Sequence, residues 1–425
     1  MDHFQYRNGE LFVENVAITD IAERVGTPFY CYSTATLTHH VNVLSSAFEK
    51  ANISPKPLIC FSVKANSNIA VIATLAQSGA GADIVSGGEL ERALRAGVAA
   101  DRIVFSGVGK TQAEMAQALR AGILRFNIES LAEVEQLSAV ASELKISASI
   151  AFRVNPDIDA GTHEKISTGK AENKFGIAWE DAESAYDRAS QLPYIQCDGI
   201  DIHIGSQITQ LDPFARAFAK LADLLERLRK NGHNIASLDL GGGLGVPYER
   251  DNQPPPNPDA YAQIIADQLG GSGCQIILEP GRVIAANAGI LVSRLIREKR
   301  GQVKNFMIVD AAMTELMRPT LYGAHHDIRP VIETDGEPVM WDIVGPVCES
   351  GDFLGKDRSL PPLAPDSLIA IYTVGAYGAV LGSTYNTRPL APEVLVKGDK
   401  FEIIRQRPEV DDLLRFERLP NWLET

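Results

Sequence analysis

The stretch CFSVKANSN, Cys60 to Asn68, ends an apolar run on a lysine. Leu58, Ile59, Phe61 and Val63 read as a buried strand that Lys64 closes. A lysine seldom enters a core without a partner, so Lys64 is either a paired structural charge or a reactive amine. The reactive use needs a lowered pKa, supplied by desolvation and neighbouring cations, after which the amine can attack a carbonyl and form a Schiff base. Other apolar runs end in similarly unusual residues. DIHIGSQ carries His203 and Ser206; DLGGGLG carries Gly241, Gly242 and Gly243; IILEPGR carries Glu279, Gly281 and Arg282. ADIVSG carries Asp83 and ends at Ser86, and AFRVNP carries Arg153 and Asn155.

Each has a bland reading: His203 as a hydrogen-bonded core histidine, GGGLG as a tight turn. The spacing of the dinucleotide fingerprint GxGxxG is absent. A bare glycine turn after a strand can nevertheless cradle a phosphate with its N–H groups. Glu279 would be costly to bury unpaired, and a cationic ring nitrogen would suit it. Taken together, a Schiff-base lysine, a phosphate cradle, a carboxylate for a protonated pyridine and a flat histidine for stacking are what pyridoxal 5'-phosphate requires. No metal-ligand cluster is read from the sequence.

The elements that must position these groups follow from the texture of the chain. From about residue 57, short β-branched runs alternate with stretches of helical period. Eight strands are expected: LICFSVKAN, ADIVSG, RIVFSGVG, ILRFNIES, ISASIAFRVNP, CDGIDIHIGSQ, SLDLGGGLG and QIILEPGR. Between them lie helix candidates such as GGELERALRAGV, TQAEMAQALRAG and FARAFAKLADLLERLRKNG. Eight such units predict an α/β fold with a (β/α)8 barrel of TIM type, whose functional groups gather at the C-terminal ends of its strands. After about residue 288, runs such as PVMWDIVGPVC and EVLVKGDKFEIIR predict a mainly antiparallel β domain. The N-terminal FQYRNGELFVENV reads as a hairpin that joins it. The expected domains are 1–25 (hairpin on the β domain), 26–287 (barrel) and 288–425 (β domain). QPPPNPD reads as a rigid loop, and DAGTHEKISTGKAENKFG as a mobile lid.

Across 425 residues, 45% are hydrophobic and 22% charged, and the net charge of −14 leaves no global basic footprint for nucleic acid or an anionic membrane. The five cysteines, Cys31, Cys60, Cys197, Cys274 and Cys348, are widely spaced without a CxxC. That argues against a disulfide framework and for a reducing cytoplasm. All but Cys348 sit in or beside apolar runs and are expected to be buried. No signal peptide and no membrane-spanning run is apparent.

FSVKAN, HIGSQ, DLGGGLG, EPGR, GPVCESGD and GAYG, in this order over nearly the whole chain, resemble the alanine-racemase-like, fold-type III pyridoxal phosphate decarboxylases. Among these, the diaminopimelate type is the nearest. The resemblance implies a homodimer with shared active sites that converts meso-2,6-diaminopimelate to L-lysine and CO2, the last step of bacterial lysine biosynthesis. It assigns Lys64 to the cofactor aldehyde, His203 to the ring face, and Ser206, Gly241, Gly242 and Gly243 to the phosphate. Glu279 becomes the partner of the pyridine nitrogen, and Tyr377 in GAYG lies near cofactor and substrate. Asp83, Gly281 and Arg282 complete the cofactor set. Cys348, supplied by the other subunit, resembles the residue that protonates the product at Cα, a task for an accessible low-pKa thiol. For the far end of the substrate, Arg318 and Tyr322 in MRPTLYGAHHD suit a carboxylate, Glu349 an ammonium, and Arg282 can assist. Three alternatives stay open. One is decarboxylation of ornithine, arginine or carboxynorspermidine; another is racemisation, which GPVCESGD disfavours. The third is an inactive decarboxylase-like regulator, which the presence of Lys64 and the glycine turn disfavours.

Overall fold

The computed structural model describes residues 2–159, 174–249 and 257–423. Most of the expected lid segment and the first residues of QPPPNPD lie outside them. The chain forms two compact units. One holds the N-terminal residues up to Thr36, a short piece beginning at Tyr248, and the chain from Asn287 onward; the other runs from Leu37 to Ala286 apart from that piece.

The N-terminus opens with β1 (Phe4–Arg7), β2 (Glu10–Val13) and β3 (Val16–Ala17), an antiparallel three-stranded sheet. Asn8 and Gly9 join the first two with positive φ at both positions, the backbone that an Asn-Gly hairpin turn supplies. Phe4, Leu11 and Val13 enter one apolar core with Phe29, Ile290 and Val394. Phe29 opens β4 (Phe29–Ser33), which is paired with strands of the C-terminal unit. The barrel unit therefore begins near residue 37 rather than at 26. The chain has to give a strand to the β sheet first, and all five residues of that strand are buried.

The eight expected runs form β5 (Leu58–Ser62), β6 (Gly81–Ile84), β7 (Ile103–Phe105), β8 (Arg125–Ile128), β9 (Ala148–Arg153), β10 (Ile195–Asp201), β11 (Ser237–Asp239) and β12 (Gln275–Leu278). Among the described residues they close a parallel barrel in sequence order, with β12 returning to β5. Crossover helices include Gly87–Arg95, Gln112–Ala121, Leu131–Leu144, Asp212–Lys230 and Pro258–Leu269. Ser86, Thr111 and Ser130 start three of them by accepting a backbone N–H, so Ser86 is a helix cap here. The last unit is short, with Arg282–Ala285 its only α-helical turn.

The C-terminal unit holds β13 (Gly289–Arg300), β14 (Asn305–Val309), β15 (Ile328–Pro330), β16 (Val339–Val344), β17 (Phe353–Leu360), β18 (Leu368–Ile371), β19 (Glu393–Lys397) and β20 (Lys400–Arg405). The sheet runs β17-β16-β14-β13-β4-β19-β20, with β18 on β13 and β15 on β18. It is mainly antiparallel; the pairs β14–β16 and β4–β19 are parallel. Cys31, Cys60 and Cys274 are buried and Cys348 is exposed, while Cys197 is only partly buried, because β10 starts outside the barrel core.

Candidate active site

Ser62 ends β5, and a single 3-10 turn, Val63–Ala65, carries the chain over the rim of the barrel. Lys64 is therefore not buried with the strand: its side chain keeps 42% of its exposure and stands at the mouth. Its Nζ lies 3.4 Å from Oδ2 of Asp83 on β6, a fully buried carboxylate that also accepts from Ser62 Oγ at 2.7 Å.

Below the mouth, polar side chains replace the usual apolar filling of the barrel. Glu279, 7% exposed, follows β12. Its Oε1 accepts from Ser106 Oγ and from Asn127 Nδ2, both at 3.1 Å. Asn127 Nδ2 is also 3.2 Å from Asp239 Oδ2. Burial, then the neighbouring charges of Asp239, Asp83 and Asp201, pushes the Glu279 carboxyl well above the usual range, against the pull of Lys64. Burial likewise raises Asp201 and Asp239, each of which raises or is raised by other carboxylates of the cluster. A buried cation placed against Glu279 would relieve this crowding of negative charge.

The glycine turn after β11 is forced by close approach. A Cβ on Gly242 would stand 2.3 Å from the carbonyl oxygen of Glu279, and one on Gly243 would stand 2.5 Å from that of Gly205. Gly241 and Gly243 also have positive φ. The Gly242 N–H donates to Nδ1 of His203 at 3.2 Å, so this nitrogen is the acceptor and the ring is neutral. Burial first, then the charges of Arg153 and Lys64, holds its pKa well below the ordinary histidine value. Arg282, buried beside Gly281, donates to Ser206 Oγ at 3.2 Å. A side-chain-free cradle, a neutral imidazole fixed in orientation, a buried carboxylate and a lysine at the rim fit pyridoxal phosphate.

The remaining expected residues fall in the C-terminal unit. Arg318 and Tyr322 are the ends of the short helix Arg318–Tyr322; Arg318 is buried and Tyr322 half-buried. Cys348 and Glu349 are exposed on the turn between β16 and β17. Asp352 shapes that turn: it accepts the N–H groups of Met313 and Val347, both at 2.7 Å. Tyr377 is half-buried and has a φ of 57°, a left-handed conformation that is strained for an aromatic residue and that functional sites commonly retain.

Residues 17–286 match the model of the pyridoxal-dependent decarboxylase, pyridoxal binding domain. Diaminopimelate decarboxylases of Pseudomonas aeruginosa and Zymomonas mobilis are 50% and 48% identical to the chain, over 99% of both partners in each case. A crystal structure of diaminopimelate decarboxylase from M. jannaschii in co-complex with L-lysine superposes with a TM-score of 0.94 at 34% identity, covering 99% of each chain.

The chain belongs to the diaminopimelate decarboxylase family.

Several residues that contact or act on the expected ones escape sequence reasoning. Ser106, Asn127, Asp201 and Asp239 lie within or beside apolar runs, and only their period-two placement marks them as pointing into the barrel. Glu89, in the first turn of the helix Gly87–Arg95, is pushed up to about 7, chiefly by burial and partly by Asp83. Arg153 pairs with Glu129 at 3.3 Å, which fixes a cation that acts on His203. His326 and Tyr248 contact Arg318, and nothing in their sequence neighbourhood signals it.

Proposed function

We propose that the chain decarboxylates meso-2,6-diaminopimelate to L-lysine and CO2 with pyridoxal 5'-phosphate, in the cytoplasm. The observation that carries this reading is the barrel mouth, where Lys64 stands over Asp83 and a buried Glu279 whose Oε1 is fixed by Ser106 and Asn127. The bound cofactor supplies an electron sink for the pair released when the bond from Cα to the carboxylate breaks.

The chain's own residues do the rest. Lys64 is the amine that would hold the cofactor aldehyde and give way to the substrate amine. Glu279, with one oxygen loaded by two donors, offers the other to the ring nitrogen and keeps that nitrogen protonated. His203, neutral and held by Gly242, packs on the ring without competing for its charge. Gly241, Gly242, Gly243, Gly281 and Ser206 receive the phosphate, with Arg282 bracing Ser206. Arg318 and Tyr322 take the far carboxylate, Glu349 takes the far ammonium, and Tyr377 borders the substrate. Cys348 returns a proton to Cα. The working unit in this reading is a homodimer in which Cys348 and Glu349 serve the barrel of the other copy. Relatives at 48–50% identity do not favour a decarboxylase of ornithine-type substrates or an inactive regulator.

The test is release of lysine and CO2 from meso-diaminopimelate by the purified protein loaded with pyridoxal phosphate, alongside Lys64→Ala. Lysine formed by the wild type alone supports the reading. A wild type that binds the cofactor but forms no lysine, and instead decarboxylates ornithine or arginine, refutes the substrate.

A further inference from the structure

Among the neighbours of Arg318 are two residues whose roles are otherwise unassigned, His326 and Tyr248. The helix Arg318–Tyr322 ends at Gly323, whose φ of 60° turns the chain back. The turn returns His326 to the arginine, and His326 is 0% exposed. Arg318 Nη1 donates to His326 Nε2 at 2.8 Å. The other ring nitrogen, Nδ1, faces the carbonyl oxygen of Tyr372 at 2.9 Å, which can only accept. The proton is thus on Nδ1, and Nε2 is free to accept from the guanidinium. Tyr248 adds a second contact: the Arg318 guanidinium lies 4.5 Å from its ring centroid, and the ring meets His326 edge-on at 5.2 Å and 83°.

We propose that His326 and Tyr248 are positioning residues that orient Arg318 for the far carboxylate of the substrate and so set the preference for a diacid over a plain diamine. The proposal rests on the role given to Arg318 above. Both contacts are made by uncharged groups, one a hydrogen-bond acceptor and the other an aromatic face. They fix the plane of the guanidinium without contributing a negative charge that would compete with a carboxylate ligand. A guanidinium rotated out of that plane loses the two-pronged match to a carboxylate while keeping its charge.

The chemistry of the reaction supplies the probes. Decarboxylation removes one of the two carboxylates of diaminopimelate, so L-lysine keeps the far one and cadaverine has none. The cofactor-loaded enzyme is assayed for competitive inhibition by each. For His326→Leu, the inhibition constant of L-lysine rises about tenfold or more, the loss of one charge-assisted hydrogen bond, while that of cadaverine stays within about twofold. The KM for meso-diaminopimelate rises in parallel with a smaller change in kcat. His326→Gln, whose carboxamide oxygen can stand in for Nε2, recovers most of the lysine affinity. Tyr248→Leu acts in the same direction and Tyr248→Phe does not; this pair carries the test if His326→Leu does not fold. Arg318→Met is the benchmark. If it shifts the lysine-to-cadaverine ratio and neither His326→Leu nor Tyr248→Leu does, the proposal is overturned while the role of Arg318 stands. Equal weakening of both inhibitors by these variants overturns it too, as a purely structural effect. If Arg318→Met leaves the ratio unchanged, the role of Arg318 falls and the proposal with it.

Discussion

Glu279→Gln separates the energetic strain of the barrel mouth from its chemistry. The substitution removes a charge and keeps the shape, and a carboxamide oxygen can still accept from Ser106 and Asn127. In the wild type, burial and three neighbouring carboxylates hold the Glu279 pKa well above the ordinary value. A raised acid binds its proton more tightly when folded than when unfolded. Its contribution to stability is therefore fully present below the unfolded pKa and is lost as pH rises toward the folded one, at about 1.4 kcal/mol per pH unit for a single group. Glutamine has no such term. In the cofactor-free protein, Glu279→Gln should gain on the wild type as pH rises from about 5 to about 7, by up to about 3 kcal/mol in all. Asp201 and Asp239 share the penalty, since Asp239 and Asp201 both act on Glu279, so part of the gain appears as their easier ionisation. The assay is urea unfolding of both proteins, stripped of cofactor, at a series of pH values. A stability gap that stays flat with pH, or that favours the wild type more at higher pH, would refute the reasoning. The loaded variant should behave in the opposite sense: an amide cannot hold the ring nitrogen protonated, and kcat should fall by about a hundredfold or more.

Three further outcomes follow from the geometry. Lys64→Ala should abolish decarboxylation and the visible absorbance of the lysine-bound cofactor while costing under about 1 kcal/mol in stability, because Lys64 keeps 42% of its exposure, its contact with the buried Asp83 is 3.4 Å long, and Ser62 Oγ still donates to that carboxylate at 2.7 Å; denaturant unfolding and an absorbance spectrum check both. Gly242→Ala should lose cofactor affinity and about 1–3 kcal/mol or more of stability, since its Cβ meets the Glu279 carbonyl oxygen at 2.3 Å; a thermal midpoint equal to the wild type would contradict the close approach. Cys348→Ser should leave stability within about 0.5 kcal/mol, as expected for an exposed side chain. It should also lower kcat about a hundredfold if the thiol delivers the proton to Cα; an unchanged kcat would assign that proton to another donor.

The barrel was legible because its strands are buried on both faces. Runs such as ILRFNI and QIIL stand out against helices whose polar faces look outward, and eight alternations leave few other topologies. The motif residues were legible because they interrupt those runs at their ends, where an apolar pattern has no use for Lys64, three glycines or Glu279. Sequence also marked the N-terminal hairpin, through the Asn8-Gly9 turn and the alternation on either side of it.

Tertiary structure alone decided the remainder. Phe29–Ser33 falls inside the span 26–287 expected for the barrel, and only its pairing with β13 and β19 places it in the β sheet instead. Lys64 looked buried in sequence because its strand is, yet one 3-10 turn lifts it to the rim. Asn127 and Glu279 lie 152 residues apart, and Tyr248 comes from a distant part of the chain to meet Arg318 and His326, which share one helix-turn segment. Local periodicity reports which face of an element is apolar. It carries no information on which polar atoms from distant elements meet in a dry interior, and there the protonation and orientation of the site residues are set.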